Sequence, residues 1–493
     1  MVQTLIYSHT GLTAKQIGLT TEIIEGLVTE DREMKVLLCN NVLHNCYFNR
    51  THNILGCASC QSRQRTLLKQ AGLIDKNLIS LEDVAVDIDY DEVHFATTEE
   101  LMNHTYEGID IGRGVASSII SYYRDLDITS EKYQELITVE IDKAITVVEN
   151  LKSLYKKWKF EEIYLFNGRF AEAWPVIRFA ELNSIPYHTM EAGAHDRYEL
   201  FDNALPHSMK ARQLKIEKYW CEADKSTRSS IGNEWFTNRK GRVETTEKSF
   251  TKTQILNQLP TGFDLAKRNI CIFNSSEDEM ASISEYQNDI YITQNDAIKQ
   301  ILTAYKGETD FQFYLRLHPN LAAVDNSQTK EIYNFKFPNL HIIKPNEKID
   351  TYALMDACEK TISFGSSTGI EATYWGKPSI LYGNAFYMYL DCVYQPKSIE
   401  ELKNLVDQKD LTPKPKESTL SFGHFMMTFG QKPINFKFDG LNNSSYKNKK
   451  IKKFYPSTLL YFFKYLKKYG HWKSLHRIYY GSKFTFKSIF DYK

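Results

Sequence analysis

Residues Thr361-Ile362-Ser363-Phe364-Gly365-Ser366-Ser367-Thr368-Gly369-Ile370-Glu371-Ala372 run from a short apolar strand through a small-residue turn into a helix. Tyr374-Trp375-Gly376-Lys377-Pro378 then leads into a second strand at 379–382. Strand, tight turn, helix and strand in this spacing is the βαβ unit of α/β proteins. Small residues let the backbone approach a ligand. The helix that starts there aims N–H groups and a partial positive charge at the space above, which suits an anion, most often phosphate. Glu371 falls one turn into the helix, within reach of a ribose whose phosphates lie on the turn. Taken alone, the stretch is equally a serine-capped crossover with no ligand.

The rest of the chain repeats the pattern. A strand at 4–7 exits into Ser8-His9-Thr10-Gly11, and a helix over 14–29 and a strand over 34–39 follow. A long helix over 131–158 precedes a strand at 162–166, which leaves through Asn167-Gly168-Arg169. A helix at 171–183 and a strand at 186–190 lead to Glu191-Ala192-Gly193-Ala194-His195-Asp196. Polar, charge-mixed sequence over 233–259 reads as a linker. A second series then begins. A strand at 270–273 exits into Asn274-Ser275-Ser276-Glu277-Asp278-Glu279, and one at 311–317 exits into His318-Pro319-Asn320. Ligands of open α/β sheets sit outside the carboxyl ends of the strands, so each of these loops is a site candidate. Arg316 and His318 flank Leu317 and share one face of a strand, so both are expected to reach one phosphate.

A chain of 493 residues is too long for one ordinary core. The expected domains are residues 1–260 and 261–440, both Rossmann-like, with a basic amphipathic tail at 441–493. Formal charge is zero overall, but the tail alone carries 13 Lys/Arg against the single Asp491. Its mixture of lysines and bulky aromatics, including Trp472 and Phe490, suits the surface of an anionic bilayer better than nucleic acid, for which the main domains show no motif. No apolar run approaches the roughly 20 residues that span a bilayer, and the start lacks a signal peptide's charged region. The expectation is a cytoplasmic protein, peripheral at the inner face of the membrane. Eight cysteines are no disulfide framework at this length. Cys39, Cys46, Cys57 and Cys60 cluster with one CxxC spacing, and reduced thiols are a better account than structural zinc. Asp87-Ile88-Asp89 has the letters of a metal-binding Asp-x-Asp but lies in acidic, surface-like sequence and reads as solvated.

Asn167-Gly168-Arg169, Glu191-Ala192-Gly193, Pro206-His207-Ser208, Ser275-Ser276-Glu277-Asp278-Glu279, Arg316-Leu317-His318-Pro319, Ser366-Ser367 through Glu371-Ala372, and Gly376-Lys377-Pro378 occur in that order. The series resembles bacterial capsular-polysaccharide biosynthesis glycosyltransferases. Its His-Pro and Ser-Ser elements also resemble polysialyltransferases, Kdo transferases of capsule assembly and teichoic-acid glycerophosphotransferases. The likeness covers about residues 1 to 410. It implies a GT-B architecture, with two Rossmann-like domains facing a cleft and no cofactor or bound metal. It also implies a nucleotide-sugar donor and a surface polysaccharide or lipid-linked glycan as acceptor. His318, Ser366, Ser367, Thr368 and Gly369 would hold the donor phosphate with Arg316 assisting, and Glu371 would take the ribose. Glu191, with His195 and Asp196 as alternatives, is the expected base for the acceptor hydroxyl. Asn167, Arg169, Ser276, Glu277 and Glu279 are candidate substrate contacts. A nucleotide-sugar 2-epimerase and a non-catalytic scaffold of an assembly complex remain as other readings of the same fold.

Overall fold

Two parallel sheets organise the computed structural model, which describes residues 1–29, 31–43, 46–82, 93–243, 250–287, 289–438 and 444–469. Asp87-Ile88-Asp89, Trp472 and Phe490 lie outside the described residues. The chain divides into two units. The first comprises Met1–Ile119, Ile128–Pro206 and Gly430–Lys493, and the second Ile120–Asp127 and His207–Phe429.

In the first unit, β1 (Val2–Ser8), β2 (Arg32–Leu38) and β3 (Leu78–Ser80) are followed by a small hairpin, β4 (Thr105–Tyr106) and β5 (Ile109–Asp110). Then come β6 (Glu162–Phe166), β7 (Tyr187–Ala192) and β8 (Tyr198–Asp202). The main sheet has the order β3-β2-β1-β6-β7-β8, parallel except for the antiparallel pairing of β7 with β8. Parallel strands are covered on both faces, and their sequences are accordingly almost continuous apolar runs. Ile6, Val36, Leu38 and Met190 meet there in one buried cluster.

The second unit contains β9 (Arg268–Phe273), β10 (Phe311–Arg316), β11 (Leu340–Ile343), β12 (Lys360–Ser363) and β13 (Ser379–Leu381). All pairings are parallel, in the order β11-β10-β9-β12-β13. Ile270, Ile272, Leu315, Ile362 and Ile380 are fully buried in its core. Each sheet is thus wound outward from its first strand in both directions, which is the Rossmann-like pattern expected from the sequence.

The domain boundaries differ from those expected. Residues 207–260 belong to the second unit rather than the first, and the stretch expected as a linker, 233–259, begins inside a helix. Helices Met209–Glu222 and Arg228–Lys240 belong to the second unit, packed on helix Leu420–Thr428. Two glycines allow the closest crossing: a Cβ on Gly423 would lie 2.3 Å from the Gly232 carbonyl oxygen, and one on Gly232 2.5 Å from that of Leu420. Composition marked 233–259 as polar because helix Arg228–Lys240, which runs into it, buries only Gly232, Trp235 and Phe236.

The tail is not separate either. From Gly430 the chain returns to the first unit as an antiparallel sheet, β14 (Phe436–Phe438), β15 (Ser444–Tyr446) and β16 (Lys449–Lys450), and then forms helix Ser457–Tyr469. The Glu22 carboxylate accepts hydrogen bonds from the Asn435 and Phe436 amides at 3.0 and 2.9 Å. The Phe436 ring fills the space over Gly18 in helix Ala14–Leu27, where a Cβ would lie 2.1 Å from the ring. Gly18→Ala should therefore cost about 1–3 kcal/mol by overpacking. Gly26→Ala in the same helix, with nothing within 4 Å of its Cβ, should be neutral or stabilising by about 0.5–1 kcal/mol. Urea denaturation of the two variants beside the parent chain checks the pair.

Candidate functional site

The register of the second sheet decides where its loops lie. Phe273 of β9 pairs with Arg316 of β10 on one side and with Ser363 of β12 on the other. The segments beginning at Asn274, Leu317 and Phe364 therefore leave the sheet at the same height. At about 4.8 Å between strands, the outer two exits are about 10 Å apart. β9 and β12 also mark the point where the winding direction reverses. Three of the expected site segments are brought to one edge.

Hydrogen bonds tie these exits together. The Asn274 side chain accepts from the His318 amide at 2.8 Å. Ser275 Oγ donates to the Phe364 carbonyl at 3.0 Å, while Gln294 holds both the Ser275 amide and its hydroxyl. Gly365 has φ +104°, and a Cβ there would stand 3.1 Å from the Asn384 carbonyl oxygen. A left-handed, closely approached position of this kind requires glycine. The amides of Gly365, Ser366 and Ser367 donate to no backbone acceptor among the described residues. The Ser366 carbonyl is held by the Tyr387 hydroxyl at 2.6 Å, and Ser366 Oγ accepts from Thr368 Oγ1 at 2.9 Å. The same close packing explains Gly369, where a Cβ would fall 2.3 Å from the Tyr387 hydroxyl. His318 is half-buried, its Nδ1 accepting from the Asn320 amide at 3.2 Å and its ring edge-on to Phe250.

Two expected contacts are used differently. Arg316 is buried, and its guanidinium donates to the carbonyls of Lys344 and Glu347 at 3.1 to 3.5 Å. It closes the loop after β11 rather than reaching for an anion, because three donors are spent on backbone oxygens. Burial lowers its pKa to about 10. Glu371 is 2% exposed. Its carboxylate accepts from Arg239 Nε at 3.2 Å, from Ser367 Oγ at 2.8 Å and from the Tyr352 hydroxyl. Three of a carboxylate's roughly four acceptor positions are taken, so the residue serves first as the anchor of the turn. Arg239 also donates to Ser367 Oγ at 3.2 Å and stacks on Trp235.

The acidic loop after β9 holds a residue that sequence reading did not select. Arg124, at φ +56°, donates from Nε and Nη2 to Asp278 at 2.8 and 3.2 Å, to Ser276 Oγ at 2.6 Å, and to the Asn320 carbonyl at 2.6 Å. One guanidinium thus binds the loops after β9 and β10. Its fork matches a carboxylate bidentately. Glu279, exposed, accepts from Asn320 Nδ2 at 2.5 Å. Glu277 accepts from the Gln294 amide at 2.7 Å, and burial, with Asp296 and Glu331 nearby, pushes its pKa up to about 7.

In the first unit, Asn167 Nδ2 donates to Glu191 Oε2 at 2.7 Å, joining the ends of β6 and β7. Asn167 has φ +60°, and its Oδ1 accepts from the Arg169 amide at 3.3 Å. Arg169 lies over the Phe170 ring. Glu191 sits at the end of β7 rather than in a loop, while His195 (φ +50°) and Asp196 are exposed at the tip of the β7–β8 hairpin. Lys15 is the unforeseen neighbour: burial lowers its pKa, opposed by the charges of Glu191 and Asp196. Ser208 of Pro206-His207-Ser208 is the N-cap of helix Met209–Glu222, accepting from the Ala211 amide at 3.1 Å.

A second buried group was not anticipated. Glu172 accepts from the Tyr47 amide at 3.0 Å and lies 3.8 Å from both His9 Nε2 and Lys143 Nζ. Lys143 also donates to Glu140 at 2.7 and 2.8 Å. Burial raises Glu140 to about 7, whereas at Glu172 the charges of Lys143 and His9 outweigh burial and leave the pKa lowered. Cys39, Cys46, Cys57 and Cys60 are buried free thiols; Cys60 accepts from the Gly11 amide at 3.0 Å and is raised to about 11 by burial. Among the described residues no group of three or more His, Cys, Asp or Glu is arranged to hold a metal ion.

No protein-family model and no curated protein matches the chain. Solved structures resemble it at low identity. The beta Kdo 2,4 transferase KpsC of Thermosulfurimonas dismutans is 12% identical over 54% of this chain and 79% of its own, with a TM-score of 0.37. UDP-GlcNAc 2-epimerase of Neisseria meningitidis is 11% identical over 86% and 97%, with a TM-score of 0.28.

The Glu277 environment has a measurable consequence. A carboxyl whose pKa is higher in the folded chain binds its proton more tightly there, so folding weakens as pH rises from about 4.5 towards 7. Glu277→Gln removes that loss. Denaturation midpoints should agree near pH 4.5 and diverge by pH 8, the variant being more stable by up to about 3 kcal/mol.

Proposed function

We propose that the chain is a metal-independent GT-B glycosyltransferase that moves a sugar from a nucleotide-activated donor to a surface polysaccharide or lipid-linked glycan. The observation that carries this reading is the level convergence of the Ser275, His318 and Gly365–Thr368 segments at the reversal point of the second sheet. In this reading the amides of the Gly365–Ser367 turn and the His318 imidazole hold the donor's phosphate. They offset the charge that grows on the leaving nucleotide as the glycosidic bond to it breaks. Arg124 and Glu371 with Arg239 keep the loops in place. Acceptor-side groups come from the first unit: Glu191, held by Asn167, accepts the hydroxyl proton as the acceptor oxygen bonds to the anomeric carbon. The reaction takes place at the inner face of the cytoplasmic membrane.

One observation favours a second reading. Glu277, with its pKa near neutrality beside the same sheet edge, would supply proton transfer within the second unit alone, as a nucleotide-sugar 2-epimerase requires.

Thermal melting with UDP-, GDP-, CMP- and CDP-activated sugars tests both. One nucleotide class should raise the melting temperature in proportion to the logarithm of ligand over Kd. His318→Ala should weaken that nucleotide by roughly tenfold or more, the scale of one hydrogen bond to a charged group. Glu191→Gln should keep the nucleotide response and lose transfer, whereas loss of turnover only with Glu277→Gln would select the epimerase. No response to any nucleotide contradicts both.

A further inference from the structure

The C-terminal return of the chain carries a surface that the sugar-transfer chemistry leaves unused. Residues 444–469 contain eight lysines and no Asp or Glu. This segment is fixed in place: Arg63 Nε donates to the Lys452 carbonyl at 3.0 Å, and Ser62 and Ser457 hydroxyls lie 2.5 Å apart. Helix Ser457–Tyr469 turns one side inward, with Tyr465 buried against Ile54, Cys57 and Ala58 and with Tyr461 and Phe462 beside it. The other side is apolar as well. Leu459, Leu460 and Phe463 are 63%, 68% and 64% exposed. At 100° per residue these three fall within one arc of about 100°, which Lys467 continues one turn further on, with Lys464 on its flank.

A single exposed leucine needs no explanation, but a contiguous apolar strip on an otherwise polycationic helix does. Just before the helix, Lys449, Lys450 and Lys452 line a pocket of about 370 Å³ with Leu67, Gln70 and Tyr455. None of these three ammonium groups has an ion-pair partner among the described residues. Among the described residues no helix is long and apolar enough to cross a membrane. A strip for acyl chains, lysines able to extend along it, and an unneutralised basic pocket are the parts of a surface-lying anchor.

We infer that helix Ser457–Tyr469 lies flat on an anionic phospholipid bilayer, with Leu459, Leu460 and Phe463 entering the acyl boundary and the Lys449–Lys450–Lys452 pocket taking a lipid phosphate. The inference deepens the membrane-face part of the proposed function and rests on it for the partner, but not on the transfer chemistry. A nucleic acid would use the lysines and leave the leucines and the phenylalanine in water.

Co-sedimentation of the full chain with vesicles tests it. The chain should bind phosphatidylglycerol-containing vesicles and not pure phosphatidylcholine. Lys449→Gln/Lys450→Gln/Lys452→Gln should weaken partitioning about 100-fold, at roughly a factor of five per lysine near the surface. Leu459→Ser/Leu460→Ser/Phe463→Ser should weaken it by roughly tenfold or more while leaving the melting temperature unchanged, since all three are exposed. Wild-type sedimentation by both variants would overturn the inference, as would retention on single-stranded DNA without vesicle binding. The nucleotide-induced melting shift, read on the same samples, separates the two claims. Vesicle binding without it sinks the transferase and spares the anchor, and the reverse result sinks the anchor alone.

Discussion

Everything in the second unit depends on the pairing of β9 between β10 and β12. Because Phe273 stands level with both Arg316 and Ser363, three loops with no sequence proximity leave the sheet side by side. Main-chain hydrogen bonds fix this, and the core reinforces it. A one-residue slip would turn Ile270, Ile272, Ile362 and Leu315 to the opposite faces. The site's geometry is therefore set by the strongest-specified part of the structure and not by the loops themselves. The loops are then pinned from outside. Arg124 holds the β9 and β10 exits, and the half-buried Arg239 paired with the buried Glu371 holds the turn after β12.

Such buried and half-buried ion pairs are poor sources of stability, since desolvation offsets most of the attraction. Their value lies in direction: each guanidinium has a fixed fork and accepts few arrangements of its partners. Removing one member leaves a buried charge without its counterpart, so these positions tolerate change less than their half-exposed arginines suggest. The first unit also buries paired charges, Lys143 with Glu140 and Glu172, but there the cation is an ammonium without a fixed fork.

Strand positions were legible in the sequence because parallel strands are buried on both faces and read as short apolar runs. The strand expected at 162–166 occurs with those bounds. The loops at strand exits were legible for a related reason, since Gly, Ser and Asn there mark turns that side chains cannot fill. What was not legible was partnership. Arg316 looked like a phosphate ligand because it alternates with His318, yet the carbonyls of Lys344 and Glu347 claim it. Arg124 and Arg239 lie on unremarkable polar stretches far from the motifs they support, and nothing local distinguishes them. The tail's composition announced a basic surface. Its return into the first unit rests on Phe436 meeting Gly18, a long-range fit that composition does not encode.

In the proposed reaction the nucleotide rests on the carboxyl edge of the second sheet. Amide hydrogen exchange with and without the stabilising nucleotide tests this most directly. New protection should concentrate in peptides covering 274–279, 317–321 and 365–371. Protection confined to the first unit, or spread without preference for these three segments, would contradict it.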